Sequence, residues 1–205
     1  PGADDNGSGV AGFLEVSRIL SNYNFKHTIK FIGFDLEEQS PYLLGSNQYV
    51  FNGGIDSFET IQGVINYEMI GYYSNDPYSQ TVPAGFNLLF PDQYNVLVAD
   101  SFRGNFLANV ANIYSDTLRA KFDSCAAIYV PDLKVISMAL PGNGEIAPDF
   151  RRSDHARFWD GGYKALMLTD GADFRNQNYH TANDTLGALN FTFMSNVVKA
   201  TVATI

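Results

Sequence analysis

Residues 31–38 read FIGFDLEE, and the chain is organised around this stretch. The β-prone run 28–34 leads straight into two adjacent carboxylates, Glu37 and Glu38, and a small-residue loop follows. In an open α/β sheet, ligands bind outside the carboxyl ends of the strands, so a strand ending in paired acids puts them where a site forms. Two consecutive glutamates at a strand end are more often plain solvated charge. The reading of the pair therefore depends on three other stretches: PGADDNGSG at 1–9, NYEMIGYY at 66–73 and NYHTANDT at 178–185.

Working outward, strands and helices alternate. Val10, Phe13, Val16 and Leu20 recur at helical spacing over 7–23, with Leu14 and Ile19 widening the stripe. A strand is expected over 28–34. A short helix over 42–50 follows the Pro41 start signal and closes at Asn52-Gly53-Gly54. A second strand, 62–67, delivers Glu68, and a long polar stretch runs from 72 to 83; loops of that length in a compact domain are often functional. Residues 95–99 read as a strand, and Phe106, Val110 and Ile113 as the start of a helix reaching about Phe122. Residues 135–140 and 165–168 are expected as strands, with a helix over 153–160 capped by Ser153. The last helix carries Met194, Val198, Val202 and Ile205 on one stripe. Such alternation predicts an α/β fold: three α/β/α layers around a mixed, mostly parallel sheet.

Composition narrows the function. A chain of 205 residues, 45% hydrophobic and 17% charged, reads as one globular domain able to bury a sizeable core. No apolar run approaches the roughly 20 residues that span a bilayer. A net charge of -9 excludes a counterion-release mode of nucleic-acid binding, which needs a basic surface, and fits an extracytoplasmic enzyme. Cys125 is the one cysteine, so it has no disulfide partner and no second thiolate for a metal; it reads as a small buried hydrophobe. Any metal must be held by His, Asp and Glu.

Asp5, Glu37, Glu38, Glu68 and His180 supply that set. Carboxylates with an imidazole and no thiolate form the ligand chemistry of a catalytic zinc site. Hydrolysis there needs one further carboxylate that is not a ligand, to take a proton from water. Adjacent Glu37 and Glu38 could divide these roles, and spacing alone leaves open which does which.

These stretches resemble the co-catalytic di-zinc aminopeptidases, metallopeptidase family twenty-eight, a group that includes bacterial leucyl aminopeptidases, glutamate carboxypeptidases and glutaminyl cyclases. PGADDNGSG is similar to the loop bearing the aspartate that bridges both metals, which implies that role for Asp5. FDLEEQSPYLLGS is similar to the family's EE…GLLGS stretch, implying Glu37 as general base and Glu38 as a zinc ligand. NYEMIGYY resembles the segment with a ligand of the other zinc, usually Asp and here Glu68. RRSDHARFWDGGY resembles the SDH segment lining the pocket, and YHTANDT carries the last ligand, His180.

The resemblance covers nearly the whole chain and implies the zinc-peptidase (phosphorylase/hydrolase-like) fold, a peptide substrate, Zn2+ as cofactor and an extracytoplasmic location. It implies substrate contacts for Arg152, which would take a carbonyl or carboxylate. Asp154 would orient a ligand or fix the loop. Tyr179, beside His180, is positioned in sequence to donate to an oxyanion. The family's first histidine ligand lies in an HxD strand before the bridging Asp, so here it is expected upstream of Pro1. His27 reads as a surface residue, and His155 as a pocket residue and not a ligand. Of the two zincs expected, one is therefore strongly held in this chain, by Asp5, Glu38 and His180. Two other readings use the same residues: a glutaminyl-cyclase-like single-zinc acyltransferase, and a non-catalytic peptidase-like binding domain. Oligomeric state is not legible in the sequence.

Overall fold

The computed structural model describes all 205 residues. Its sheet has strands β1 (Val64–Glu68), β2 (Leu107–Asn112), β3 (Val135–Leu140) and β4 (Ala165–Thr169), in the spatial order β1-β4-β2-β3. β1 pairs with β4 and β2 with β3 in parallel, while β2 and β4 run antiparallel. β2 and β4 are buried along their whole length, as central strands covered on both faces must be.

Helices cover both faces. Successive residues of a strand point to opposite sides, and β4 divides accordingly. Leu166 and Leu168 join one core cluster, with Phe122, Phe193 and Val197, while Ala165 and Met167 join the other, with Leu97, Phe158 and Trp159. The first cluster lies under α1 (Gly7–Leu20), α5 (Asp116–Tyr129) and α7 (Phe191–Thr204). The second lies under α3 (Phe86–Leu89), α4 (Pro91–Ala99) and α6 (His155–Asp160); α2 (Leu44–Phe51) rests on α6. This is the three-layer α/β/α arrangement.

Several local expectations are corrected. Residues 28–34 form no strand: their backbone has no ladder partner and most of the run is exposed. Its alternation is used differently, Ile29 packing on one core cluster and Phe34 on the other, where its ring meets Tyr49 and Phe158. Residues 95–99 lie in α4, where Pro91 at the first position and Asp92 in the first turn outweigh the β-branched valines. Residues 107–112 are β2 and not helix; a strand buried on both faces has no period-2 signature, so its apolar positions mimic a helical stripe.

In α1, Val10 and Leu14 are exposed and the buried face is Ser8, Gly9, Gly12, Val16 and Leu20. The contact face is made of small residues because α1 lies close to β1: a Cβ on Gly12 would stand 2.7 Å from the Ile70 side chain and 2.9 Å from Tyr67. Trp159 is core, with its indole N–H donating to the Ala165 carbonyl. Cys125 is half-buried rather than buried.

Candidate metal centre

The loop before α1 is fixed from both sides. Asp4 is fully buried: its carboxylate accepts from Gly71 N–H and the Asn176 side chain, and its N–H donates to Asp184. The Asp5 N–H also donates to Asp184, at 3.1 Å. Asp4 is thus an anchor, and Asp5 projects from it. Gly71 admits this close approach, since a Cβ there would meet Asp4 Oδ1 at 2.8 Å.

Glu37 and Glu38 lie on a loop that closes on itself before α2, with Leu43 N–H donating to the Glu37 carbonyl at 2.8 Å. His180 follows on a turn with φ of 56°, its ring stacked on Tyr179 at 3.8 Å. The result is one cluster. His180 Nε2 stands 3.2 Å from Asp5 Oδ2 and 3.4 Å from Glu38 Oε1. One donor atom from each of Asp5, Glu38 and His180 lies within 4.8 Å of the others. Two carboxylate oxygens and one imidazole nitrogen, partly open to solvent, match the donors of a catalytic zinc site with room for substrate. Burial, and then the charge of Glu38, push the Asp5 carboxyl up to about 6, which marks local negative charge that a cation would relieve.

Glu68, at the end of β1, is not in that group of three. Its Oε2 accepts from the Ser153 hydroxyl at 2.5 Å, and Ser153 accepts from the Asn66 side chain at 2.8 Å. Ser153 is therefore occupied with Glu68 and is not the cap of α6; Asp154 precedes that helix and makes no side-chain cap. Desolvation, opposed by the Ser153 hydrogen bond, pushes Glu68 up to about 8. Glu37 is half-buried and pushed up to about 7, by desolvation first and then by Asp154, Glu38 and Asp5.

Beside the cluster opens a cavity of about 90 Å³, with Phe106, Ile136, Met138, Phe150 and Met167 among its apolar walls. Glu68, Arg152 and Tyr179 line it too, and Tyr179, stacked on His180, joins it to the cluster. Arg152 does not pair with Asp154: its Nη1 donates to both Asp173 oxygens, at 3.1 and 3.2 Å, and its Nη2 to the Tyr179 hydroxyl at 3.2 Å. Asp154 lines none of the cavity, and its charge acts on Glu37 instead. His155 is fully buried against Trp159 and lies outside the cluster, while His27 is exposed.

Asp173 and Asp184 hold these groups without any role expected of them from the sequence, and Ser153, expected only as a helix cap, holds Glu68 instead. Asp184 had a usable signal, sharing the NYHTANDT stretch with His180.

No helix is long and apolar enough to cross a membrane. The chain is 35% identical over 204 residues to "Uncharacterized protein YfbL" of Escherichia coli (strain K12), covering 98% of this chain and 58% of that protein. It is 32% identical over 107 residues to "probable leucine aminopeptidase 2" of Aspergillus oryzae, covering 46% of this chain and 21% of that protein. The fold is like that of BSAP, a zinc aminopeptidase from Bacillus subtilis: TM-score 0.70 and 20% identity, over 100% of this chain and 41% of that one. The profile of Peptidase family M28 matches residues 1–205, and the chain belongs to that family.

Proposed function

We propose that the chain is the core of a zinc aminopeptidase that releases apolar N-terminal residues from peptides. The observation that carries this is the adjacency of the Asp5–Glu38–His180 cluster to an apolar cavity through Tyr179. Asp5, Glu38 and His180 would hold the ion. When bound, zinc supplies Lewis acidity toward a carbonyl oxygen and a water.

The chain's own groups supply the rest. Glu37, next to a ligand but outside the group of three, takes a proton from water and passes it to the leaving amine. The Tyr179 hydroxyl accepts from Arg152 and so turns its own proton toward the site, where an oxyanion develops. A free substrate amine meets the acids Glu37 and Glu68, and the first side chain enters the cavity, whose apolar walls exclude water. An extracytoplasmic location belongs to the same proposal and rests on the family resemblance.

The test is Glu37→Gln in zinc-loaded protein, assayed with a leucyl anilide. Turnover is expected to fall about 10²- to 10⁴-fold, with zinc content unchanged. A variant with wild-type turnover ends the assignment of Glu37. Cyclisation of an N-terminal Gln peptide without anilide hydrolysis would instead establish the glutaminyl-cyclase-like reaction.

A further inference from the structure

Arg152 is the one cation lining the cavity, against three carboxylates: Glu68, Asp149 and Asp173. Its guanidinium is not free. Nη1 is held by both oxygens of Asp173, Nη2 by the Tyr179 hydroxyl, and Asp149 stands 4.0 Å away. Both side chains of the Arg152–Asp173 pair keep about two-fifths of their surface, 41% and 39%. A pair so exposed contributes little to stability. Its consequence lies in the local field.

We infer that Asp173 is a specificity-determining residue, which cancels Arg152 and so excludes acidic side chains from the cavity. This rests on the aminopeptidase reading above. A guanidinium beside an apolar pocket is a ready partner for a carboxylate, because its planar fork matches both oxygens. Here Asp173 takes Nη1 with both of its oxygens and the Tyr179 hydroxyl takes Nη2, so the fork is already engaged from within the chain. A Glu or Asp side chain entering the cavity meets a spent cation and two further carboxylates, and it loses its hydration with nothing in return. A leucyl or phenylalanyl side chain has no such loss, so the pocket selects by charge as well as by shape.

The experiment is Asp173→Asn, which keeps size and removes charge at a position exposed enough to accept it. Wild-type and variant zinc-loaded protein are compared with leucyl and glutamyl anilides at low salt, where a rim charge is least screened. The glutamyl-to-leucyl ratio of kcat/KM is expected to rise roughly tenfold in the variant, through KM for the glutamyl substrate. Adding Arg152→Met to the variant should abolish the gain, since it removes the cation that receives the carboxylate. Any effect of Asp173 on Tyr179 is common to both substrates and cancels in the ratio.

Calorimetric binding of free L-leucine and L-glutamate reads the same preference without turnover. Absence of anilide hydrolysis by the wild type with a shifted binding preference would overturn the aminopeptidase reading and keep the role of Asp173. An unchanged preference in binding and in kcat/KM would overturn that role.

Discussion

The Ser153 hydroxyl donates to Glu68 Oε2 at 2.5 Å, across 85 positions of sequence. That bond divides the acids of the site into two sets. Asp5 and Glu38 face the His180 ring, whereas Glu68 is engaged by Ser153, itself held by Asn66.

One zinc per chain is therefore expected to survive dialysis, measured by elemental analysis. Carboxylates without an imidazole hold zinc weakly, and two nearby cations repel unless fully ligated. His180→Ala and Glu38→Gln should lose the metal, and Glu68→Gln should retain it. Two retained zincs would show that Glu68 leaves Ser153 to ligate.

Tyr179 gives the second prediction. Desolvation pushes its hydroxyl up to about 12, so it carries its proton throughout the neutral range. Tyr179→Phe keeps the ring stacked on His180 and removes only the donor. If the hydroxyl meets a developing oxyanion, kcat falls about 10²-fold with KM and zinc content nearly unchanged. Equal kcat in the two proteins would reduce Tyr179 to a packing role.

How much of this was legible in the sequence depended on distance along the chain. Asp5, Glu37, Glu38 and His180 each sit in a short polar loop rich in Gly, Ser or Asn, and their residue types alone limit the chemistry. The contacts of Glu68 and Arg152 were not legible: Ser153 reaches Glu68, and Arg152 reaches Asp173, only through the fold, 85 and 21 positions apart. Among the elements, 135–140 and 165–168 were readable as strands. The buried strand 107–112 was not, because a strand covered on both faces loses its alternation. The run 28–34 has strand residues, yet pairing is a property of a neighbour, and no ladder forms there.

His155 supplies the last prediction, one of stability against pH. Its ring is fully buried and edge-on to Trp159, with centroids 4.5 Å apart. Nε2–H donates to the Phe150 carbonyl at 2.9 Å, and buried Nδ1 has no partner. Desolvation, opposed first by the Phe150 hydrogen bond and with smaller, opposite effects of Arg151 and Asp160, lowers its pKa from 6.5 to about 4. The folded value lies below the unfolded one, so both states are neutral above pH 6.5 and the contribution to stability is complete there. As pH falls from 6.5 toward 4, the unfolded chain binds a proton that the fold refuses, and stability drops by about 3 kcal/mol in all. His155→Gln keeps a donor near Nε2 and does not titrate in this window. Denaturant unfolding should therefore find the variant less stable than wild type at pH 7.5, from lost ring packing, with the gap closing or reversing by pH 4.5. Carboxylates titrate in both proteins and cancel in the comparison. A gap independent of pH would mean that the imidazole is protonated in the fold as readily as out of it, and Nδ1 would then need an acceptor that the structure does not provide.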